Sequence, residues 1–583
     1  MAGVFEAAMR SAYAEKGLEI PEKKTITLHV KDEVRPSQPK KKKKKRHNSS
    51  PESSIKIATK QEQARLPDLS CYEAPRKNVS PPPAKPDYEL IVPEGAQLAI
   101  IDSVSHVGRY LENYLANGNR VQAYSSITDE RSVSIGLDFG TSSIKTVIGD
   151  SALEKAFAVP FRDLPDIGRY LLPSRLYETA GKYSLVGGSS THRDLKLGGS
   201  STHRDLKLAL VASPQNIELQ IHVAAFLALV IRHARGWLFD EHADLYSRTK
   251  IYWKLAVGLP VAYQLDEELS KVFVHLSEVA WMLANTTAEI STDLVRAAIA
   301  RSSEDAHSSD SISDDADIEV EVIPEIAAQI YGFVSSSKFD KKAPNNFLMV
   351  DVGAGTVDSS LFHVKPARGG KWDFELFTTV VEPHGVMNLH RHRIDWWQKA
   401  LRALPEVHGA KLAELLESRK FPTDRVIAIP ECVTKYLVGT KLSFREKLCN
   451  PDHFFYQRKV VAQVRGKTYW RTWKDGFLSP EDLKEIPVFY CGGGMRMSYY
   501  NDLRHEMRLM PNFTWLCANP KTLTIPGNLE APGLKREDYD RLSVAYGLSL
   551  LEVGKVVRAL PKPKIDIPME FSWRDNYVDK DQC

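Results

Sequence analysis

Two acidic residues on either side of a glycine-rich turn form the stretch with the clearest chemistry. Asp351 and Asp358 flank this turn, with apolar runs beyond them, and the turn residues are Gly353, Ala354, Gly355 and Thr356. Glycine lets backbone N–H groups approach a phosphate without a Cβ atom in the way, and the threonine hydroxyl adds a donor. A carboxylate beside such a turn suits Mg²⁺ bound through water, because Mg²⁺ gives up its water ligands reluctantly. The stretch predicts either a hairpin that binds phosphate and Mg²⁺ or an ordinary hairpin with a polar turn.

The same pattern occurs earlier in the chain. Asp138 ends one apolar run and Lys145 lies in the next, and the turn between them contains Gly140, Thr141, Ser142 and Ser143. Two such hairpins can hold a triphosphate from both sides, and each supplies a carboxylate next to its turn. The recurrence favours a nucleotide-binding site over two unrelated hairpins.

These motifs resemble those of the actin-like ATPase superfamily, which includes actin, the DnaK-type heat-shock chaperones, ParM and PilM. Residues 138–145 (DFGTSSIK) are similar to its first phosphate motif and residues 351–358 (DVGAGTVD) to its second. Lys145 matches the lysine that actin and ParM place on the β-phosphate. The resemblance implies an α/β fold of two lobes with ATP and Mg²⁺ in the cleft between them. It also implies catalytic roles for Asp138 and Asp351, which would contact the metal through water.

Two further stretches are similar to motifs of the same family. Gly492, Gly493 and Gly494 follow a predicted strand and resemble the adenosine motif, and Arg496 matches the arginine that DnaK-type proteins stack on adenine. Residues 327–332 resemble the helix that connects the two halves of the fold. Glu325 precedes them and is the third candidate catalytic residue, expected to orient the attacking water. A glutamate at a helix start is also favourable through the helix dipole alone, so a structural role stays open.

The composition of the chain limits its possible classes of protein and its possible location in the cell. The 583 residues, 43% of them hydrophobic, can form several domains with a substantial core, and a net charge of +4 argues against general nucleic-acid binding. Six scattered cysteines without a CxxC pair indicate a reducing compartment and argue against a disulfide framework or a cysteine zinc site. The longest apolar run, residues 223–231, is too short to span a bilayer, and the start lacks a secretion core. We therefore expect a soluble cytoplasmic protein without a transmembrane segment.

The pattern along the chain predicts five regions. Residues 1–23 have the spacing of a short amphipathic helix, either a docked arm or a partner-binding peptide. Residues 24–87 are rich in Lys, Pro and Ser and predict a disordered linker. The basic block between Lys40 and Arg46 within it is either solvated or a contact for nuclear import, nucleic acid or an acidic lipid surface. Residues 88–131 predict a small strand–helix appendage, residues 132–560 the ATPase domain, and residues 561–583 a tail.

An identical tandem duplication interrupts the predicted domain. The segment GGSSTHRDLKL occurs at residues 187–197 and again at residues 198–208. A solenoid needs at least about three repeats, so two copies do not predict one. The two copies cannot both occupy the same position in the fold, so we expect one of them to be a surface loop. Other patterns predict a buried helix at residues 217–237, a central strand at 252–259, a hairpin at 456–472 and a closing helix at 539–560.

Three functional classes stay open. The first is a nucleotide-driven ATPase switch of the DnaK or ParM kind, with an unknown protein partner or self-assembly. The second is a nucleotide-bound scaffold that resembles PilM and hydrolyses little ATP. The third is a small-molecule kinase of the same fold, which is disfavoured because those kinases lack the closing aspartate of DVGAGTVD. We expect no DnaK-type peptide-binding domain, since too few residues follow Gly494 to form one.

Overall fold

The computed structural model describes a defined part of the chain. Its residues are 87–99, 102–104, 111, 114–115, 118, 127–187, 200–260, 266–305, 318–404, 407–421, 425–427, 429–507 and 517–561. Several predictions lie outside the described residues. These are the helix at 1–23, the linker up to residue 86 with its basic block, most of the first duplicated copy, and the tail after residue 561.

The fold is mixed α/β, as the sequence predicts. The strands in chain order are β1 (Tyr88–Ile91), β2 (Gln97–Leu98), β3 (Asp102–Val104), β4 (Asp129–Phe139), β5 (Ser143–Asp150), β6 (Lys155–Ala158), β7 (Leu172–Pro173), β8 (Leu176–Thr179), β9 (Lys182–Ser184), β10 (Ser200–His203), β11 (Thr249–Leu259), β12 (Glu319–Pro324), β13 (Asn346–Val352), β14 (Val357–Pro366), β15 (Trp372–Glu382), β16 (Arg425–Ile427), β17 (Leu437–Val438), β18 (Lys441–Phe444), β19 (Ile486–Cys491), β20 (Ala518–Lys521), β21 (Leu529–Glu530) and β22 (Val553–Arg558).

Helices connect and cover these strands. They are α1 (Leu206–Ala212), α2 (Ile217–Glu241), α3 (Ala243–Tyr246), α4 (Glu267–Ala284), α5 (Thr292–Asp305), α6 (Glu325–Val334), α7 (Val386–Arg402), α8 (Val407–Lys420), α9 (Pro451–Phe455), α10 (Arg471–Lys474), α11 (Pro480–Leu483), α12 (Ser498–Asn501), α13 (Leu503–Glu506) and α14 (Ser543–Leu550). A π-helix, Tyr456–Trp470, runs between α9 and α10.

Two large mixed sheets have matching strand orders. The first runs β12-β11-β4-β5-β6-β21, and the second runs β20-β19-β13-β14-β15-β22. In the first sheet, β4 and β5 form an antiparallel hairpin, and β11 runs parallel to β4. In the second sheet, β13 and β14 form the hairpin, and β19 runs parallel to β13. The carboxyl end of β4 and the centre of β13 are buried, as expected for strands covered on both faces.

Helices α6 and α14 pack against each other within one core that also contains side chains of both sheets. Gly547 allows this close approach, because a Cβ atom there would lie 1.9 Å from the carbonyl oxygen of Ala328. Val147 of the first sheet and Met349 of the second belong to the same core and are fully buried. The two sheets therefore share a continuous apolar interior through these helices.

Helix α2 confirms the predicted buried helix and extends it to Glu241. Within the described residues it is the one helix with the length and mean hydropathy of a membrane span, and 72% of its most apolar 18-residue window is buried inside the protein. That environment is typical of a core helix. The predicted central strand is likewise present as β11, between β4 and β12.

Two predicted elements are wrong. Residues 456–472 form no hairpin but a π-helix that continues into α10. Buried residues such as Tyr456, Val460 and Val464 recur at helical spacing, and this periodicity prevails over the local strand preference of the β-branched residues. The predicted closing helix ends at Leu550, and β22 follows it and pairs in parallel with β15. The valines of β22 favour a strand once an open sheet edge is available to pair with.

The segment predicted as an appendage pairs with strands far along the chain. Strand β1 pairs with β18, β2 with β17 and β3 with β16, all antiparallel. Ala96 joins a small core formed largely by α7, α8 and the residues around Tyr436. The last residues of the segment already belong to β4.

Candidate functional site

The two hairpin turns line one cavity of about 450 Å³. Its walls also include the start of α6 and the glycines after β19. The predicted site residues that line it are Asp138, Gly140, Thr141, Ser142, Lys145, Glu325, Asp351, Gly353, Ala354, Gly355, Thr356, Asp358, Gly492, Gly493 and Gly494. Ser143 and Arg496 are outside this lining.

Strand topology explains why residues so far apart in sequence meet. Asp138 and Asp351 are the penultimate residues of β4 and β13, Glu325 directly follows β12, and Gly492 directly follows β19. Since β4, β11 and β12 are parallel, as are β13 and β19, these residues lie at the carboxyl ends of strands. Ligands of α/β proteins bind at such edges.

Both hairpins place two polar side chains on one face. Asp138 lies directly across from Lys145, and Asp351 lies directly across from Asp358. Opposite residues of an antiparallel pair point to the same side of the sheet. Lys145 Nζ donates a hydrogen bond of 2.9 Å to Asp138 Oδ2, so the first hairpin is charge-balanced whereas the second carries two acids.

The two turns approach each other closely. A Cβ atom on Gly355 would lie 3.4 Å from Thr141 Cγ2 and 3.1 Å from Leu208 Cδ1. The first turn is held by Ser174, whose hydroxyl donates to the carbonyl oxygen of Gly140 at 2.7 Å. The two turns therefore lie side by side in the wall of one cavity.

Glu325 is paired with a lysine that no sequence motif marked. Lys207 of α1 donates through Nζ to Glu325 Oε1, and its Nζ also lies 3.5 Å from the carbonyl oxygen of Gly258. Lys207 is only 5% exposed. Burial raises the pKa of Glu325, and Lys207 opposes that shift. The pair thus joins a potential base to a buried cation.

In the part of the chain that the structure describes, the two carboxylates of the second hairpin have no lysine partner of this kind. Asp351 Oδ2 accepts a hydrogen bond of 2.6 Å from Gln329 Nε2, yet burial raises the pKa of Asp351 to about 6. Burial, and then the nearby Glu325 and Asp351 carboxylates, raise the pKa of Asp358 well above its usual value. Within the described residues, the buried Asp358 Oδ1 has no hydrogen-bond partner. A divalent cation fits this donor set, because it would offset the excess negative charge.

The glycines after β19 bring the backbone against the second hairpin. Gly492 has φ of +90°, and a Cβ atom there would lie 2.4 Å from Asp351 Oδ1, so only glycine fits. The Gly492 N–H donates to Asp540 Oδ2 at 2.9 Å. A Cβ atom on Gly493 would lie 3.2 Å from Arg541 Cζ, and Arg541 lines the cavity.

Arg496 is held by different contacts. Its Nη1 donates to Asp540 Oδ2 at 2.7 Å and to the Gly492 carbonyl at 2.9 Å, and its Nη2 donates to the Glu537 carbonyl at 2.8 Å. The side chain therefore braces the glycine turn, and the arginine at the cavity is Arg541.

The second duplicated copy forms the structure next to the cavity. Its residues 200–203 are β10, paired with β8, and its final Leu-Lys-Leu begins α1. After the second copy, the residues Ala-Leu-Val-Ala extend the helix, whereas the first copy is followed by Gly-Gly. Each glycine costs about 1 kcal/mol relative to alanine inside a helix. This difference favours the second copy as the one that forms the start of α1, the helix that contains Lys207.

No sequence motif marked Lys207, Gln329, Asp540 or Arg541 as a site residue. Gln329 could have been found, because it lies four residues after Glu325 and hence on the same helix face. Lys207 had only a weak signal in the sequence, a lysine among leucines, and Asp540 and Arg541 had none.

A scan of protein-family models finds no match to the chain, and a search of curated proteins finds none either. Function is therefore inferred from the site itself.

Proposed function

We propose that the protein is a cytoplasmic, Mg²⁺-dependent ATPase with the two-lobed architecture of the actin- and DnaK-like superfamily. In this proposal it acts as a nucleotide-driven conformational switch for a protein partner or for self-assembly. One observation carries the proposal: two glycine turns, each beside an aspartate and each from a sheet of matching strand order, line the same cavity. A volume of about 450 Å³ is within the range of small-molecule sites.

Each group of residues has a role that its chemistry supports. Backbone N–H groups within the two turns, at residues 141–142 and 354–355, would bind phosphate oxygens, with Lys145 and Lys207 as cations. Asp138 and Asp351 would hold Mg²⁺ through water. The ion, when bound, neutralises phosphate charge as it develops during transfer.

Glu325 would orient the attacking water and accept its proton. Lys207 would keep that carboxylate in position, and the ion pair opposes the effect of burial on its pKa. Gly492 to Gly494 would offer an open backbone surface for the adenosine, and Arg541, which lines the cavity, would take the adenine contact expected of Arg496.

The switch follows from where the ligand binds. A triphosphate that contacts both turns favours the arrangement in which the two sheets are closest, and hydrolysis removes part of that preference. Ligand contacts that differ between the two arrangements are what a nucleotide-driven switch requires.

ATP binding and turnover by the purified full-length chain test the proposal. We expect binding that needs Mg²⁺ and slow phosphate release without any added acceptor. Loss of both on chelation of Mg²⁺, with recovery on its return, would support the assignment. Tight binding without turnover would instead identify a nucleotide-bound scaffold. Absence of ATP binding at millimolar concentration would overturn the proposal.

A further inference from the structure

Three side chains with metal-binding groups meet away from the cavity lining. They are Glu178 on β8, His203 at the end of β10 and His222 on α2, and their ligand atoms all lie within 4.8 Å of one another. Glu178 Oε2 and His203 Nε2 are 2.8 Å apart. The rings of His203 and His222 stack with centroids 3.6 Å apart and an angle of 23° between their planes. All three side chains are partly exposed, so an ion can reach them from solvent.

We propose that Glu178, His203 and His222 form a binding site for a transition-metal ion of the Zn²⁺ type. Two imidazoles and one carboxylate are a donor set that such ions favour, with water in the remaining position. Bonds of 2.0–2.2 Å in a tetrahedral site place neighbouring donors about 3.4 Å apart. The present separations, from 2.8 Å to at most 4.8 Å, bracket that value, and rotation of one imidazole out of the stack would turn both rings toward one ion.

Neighbouring groups support this geometry. The Ser201 hydroxyl donates to Glu178 Oε2 at 3.1 Å, which orients the carboxylate. Tyr183 lies edge-on to both histidines, with centroid distances of 6.4 Å to His203 and 5.9 Å to His222. The Thr292 hydroxyl donates to the Tyr183 hydroxyl at 3.0 Å and fixes that ring. Such outer contacts hold metal ligands in position.

The ion would join three separate elements. Strands β8 and β10 belong to one small sheet, and α2 packs beside α1. Only three residues separate His203 from Lys207, so a bound ion would fasten the second duplicated copy where Lys207 enters the cavity. An ion bound only by the folded protein also raises the melting temperature.

Zn²⁺ binding by the full-length chain, freed of metal by a chelator, tests the inference without any nucleotide. We expect one tightly bound ion whose binding millimolar Mg²⁺ does not displace, because imidazole is a poor ligand for Mg²⁺. His203→Ala and His222→Ala should each weaken that ion by more than about 100-fold, beyond the loss typical of a supporting residue. His192→Ala is the matched control, since His192 has the same sequence context in the first copy, and it should bind like the wild type.

Two outcomes would overturn the inference. One is wild-type stoichiometry and affinity in both His203→Ala and His222→Ala, and the other is loss of the ion in His192→Ala alone. If an alanine variant fails to fold, Glu178→Gln preserves side-chain size and removes the carboxylate charge. Co²⁺ then replaces Zn²⁺ as the probe, and an unchanged visible absorption spectrum in that variant would contradict the site.

Discussion

Lys207 and Glu325 form an ion pair at the cavity although they are 118 positions apart in the chain. Lys207 comes from a segment that is present twice, and Glu325 is the first residue of the helix that connects the two large sheets. The pair therefore depends on which copy of the duplication folds against the cavity. It also opposes the rise that burial causes in the pKa of Glu325, the residue proposed to act on water.

Lys207→Met tests the lysine directly. We expect turnover to fall about 100-fold, the scale for losing one preorganised electrostatic contact, because methionine keeps most of the apolar stem but not the charge. Lys196→Met, the same change in the first copy, should retain wild-type turnover. Phosphate release at saturating ATP measures both. An equal loss in Lys196→Met would show that the effect is not specific to Lys207, and a loss in Lys196→Met alone would show that the first copy supplies the cation.

Glu325→Gln separates a switch from a scaffold. The change keeps the shape and removes the charge, so turnover should fall roughly 100-fold or more, as for loss of a general base. ATP affinity should stay within a few-fold, because the turns and Lys145 still bind the phosphates. Single-turnover kinetics and equilibrium binding distinguish the two effects. Substantial and equal turnover in both proteins would remove Glu325 from the catalytic role.

Asp351→Ala tests the metal assignment. Turnover should fall by about 100-fold or more while the fold is retained, since a carboxylate that holds the Mg²⁺ shell is lost. Titration of activity with Mg²⁺ should shift to higher concentration, and circular dichroism monitors the fold. Hydrolysis by the variant at nearly the wild-type rate without Mg²⁺ would contradict this role.

The raised pKa of Asp351 predicts a pH dependence of stability. Between its ordinary value of 3.8 and about 6, the folded protein holds a proton that the unfolded chain has already lost. The free energy of unfolding without ligand should therefore fall as pH rises through this window and level off above it. Asp351→Asn should reduce the slope, and melting temperatures from pH 4 to 7 measure it. The same slope in both proteins would show that Asp351 does not titrate there.

A chain with a single GGSSTHRDLKL copy tests the duplication. Deleting either copy produces the same sequence, so one protein answers the question. We expect nearly unchanged melting temperature and ATP affinity, because loop shortening changes closure entropy by less than about 1 kcal/mol. A large drop in melting temperature would mean that both copies are structural.

Local patterns correctly predicted the elements that depend on neighbouring residues. The two hairpins around Asp138 and Asp351, helix α2 and strand β11 all form where apolar periodicity and turn residues agree. The segment after Tyr456 and the end of the closing helix were mispredicted because their valines fit a strand or a helix equally well. Long-range contacts decide the conformation of each segment: burial does so for the segment after Tyr456, and an open sheet edge does so for β22.

The sequence by itself determined the chemistry available at the cavity: two glycine turns, their aspartates, Lys145 and a helix that begins with Glu325. These features are local, since each turn and its flanking strands are encoded within a few residues. Only the tertiary structure decided which lysine meets Glu325, which arginine lines the cavity and which histidines approach Glu178. Side chains distant in sequence come together through strand order and helix packing, and neither can be predicted from the residue types alone.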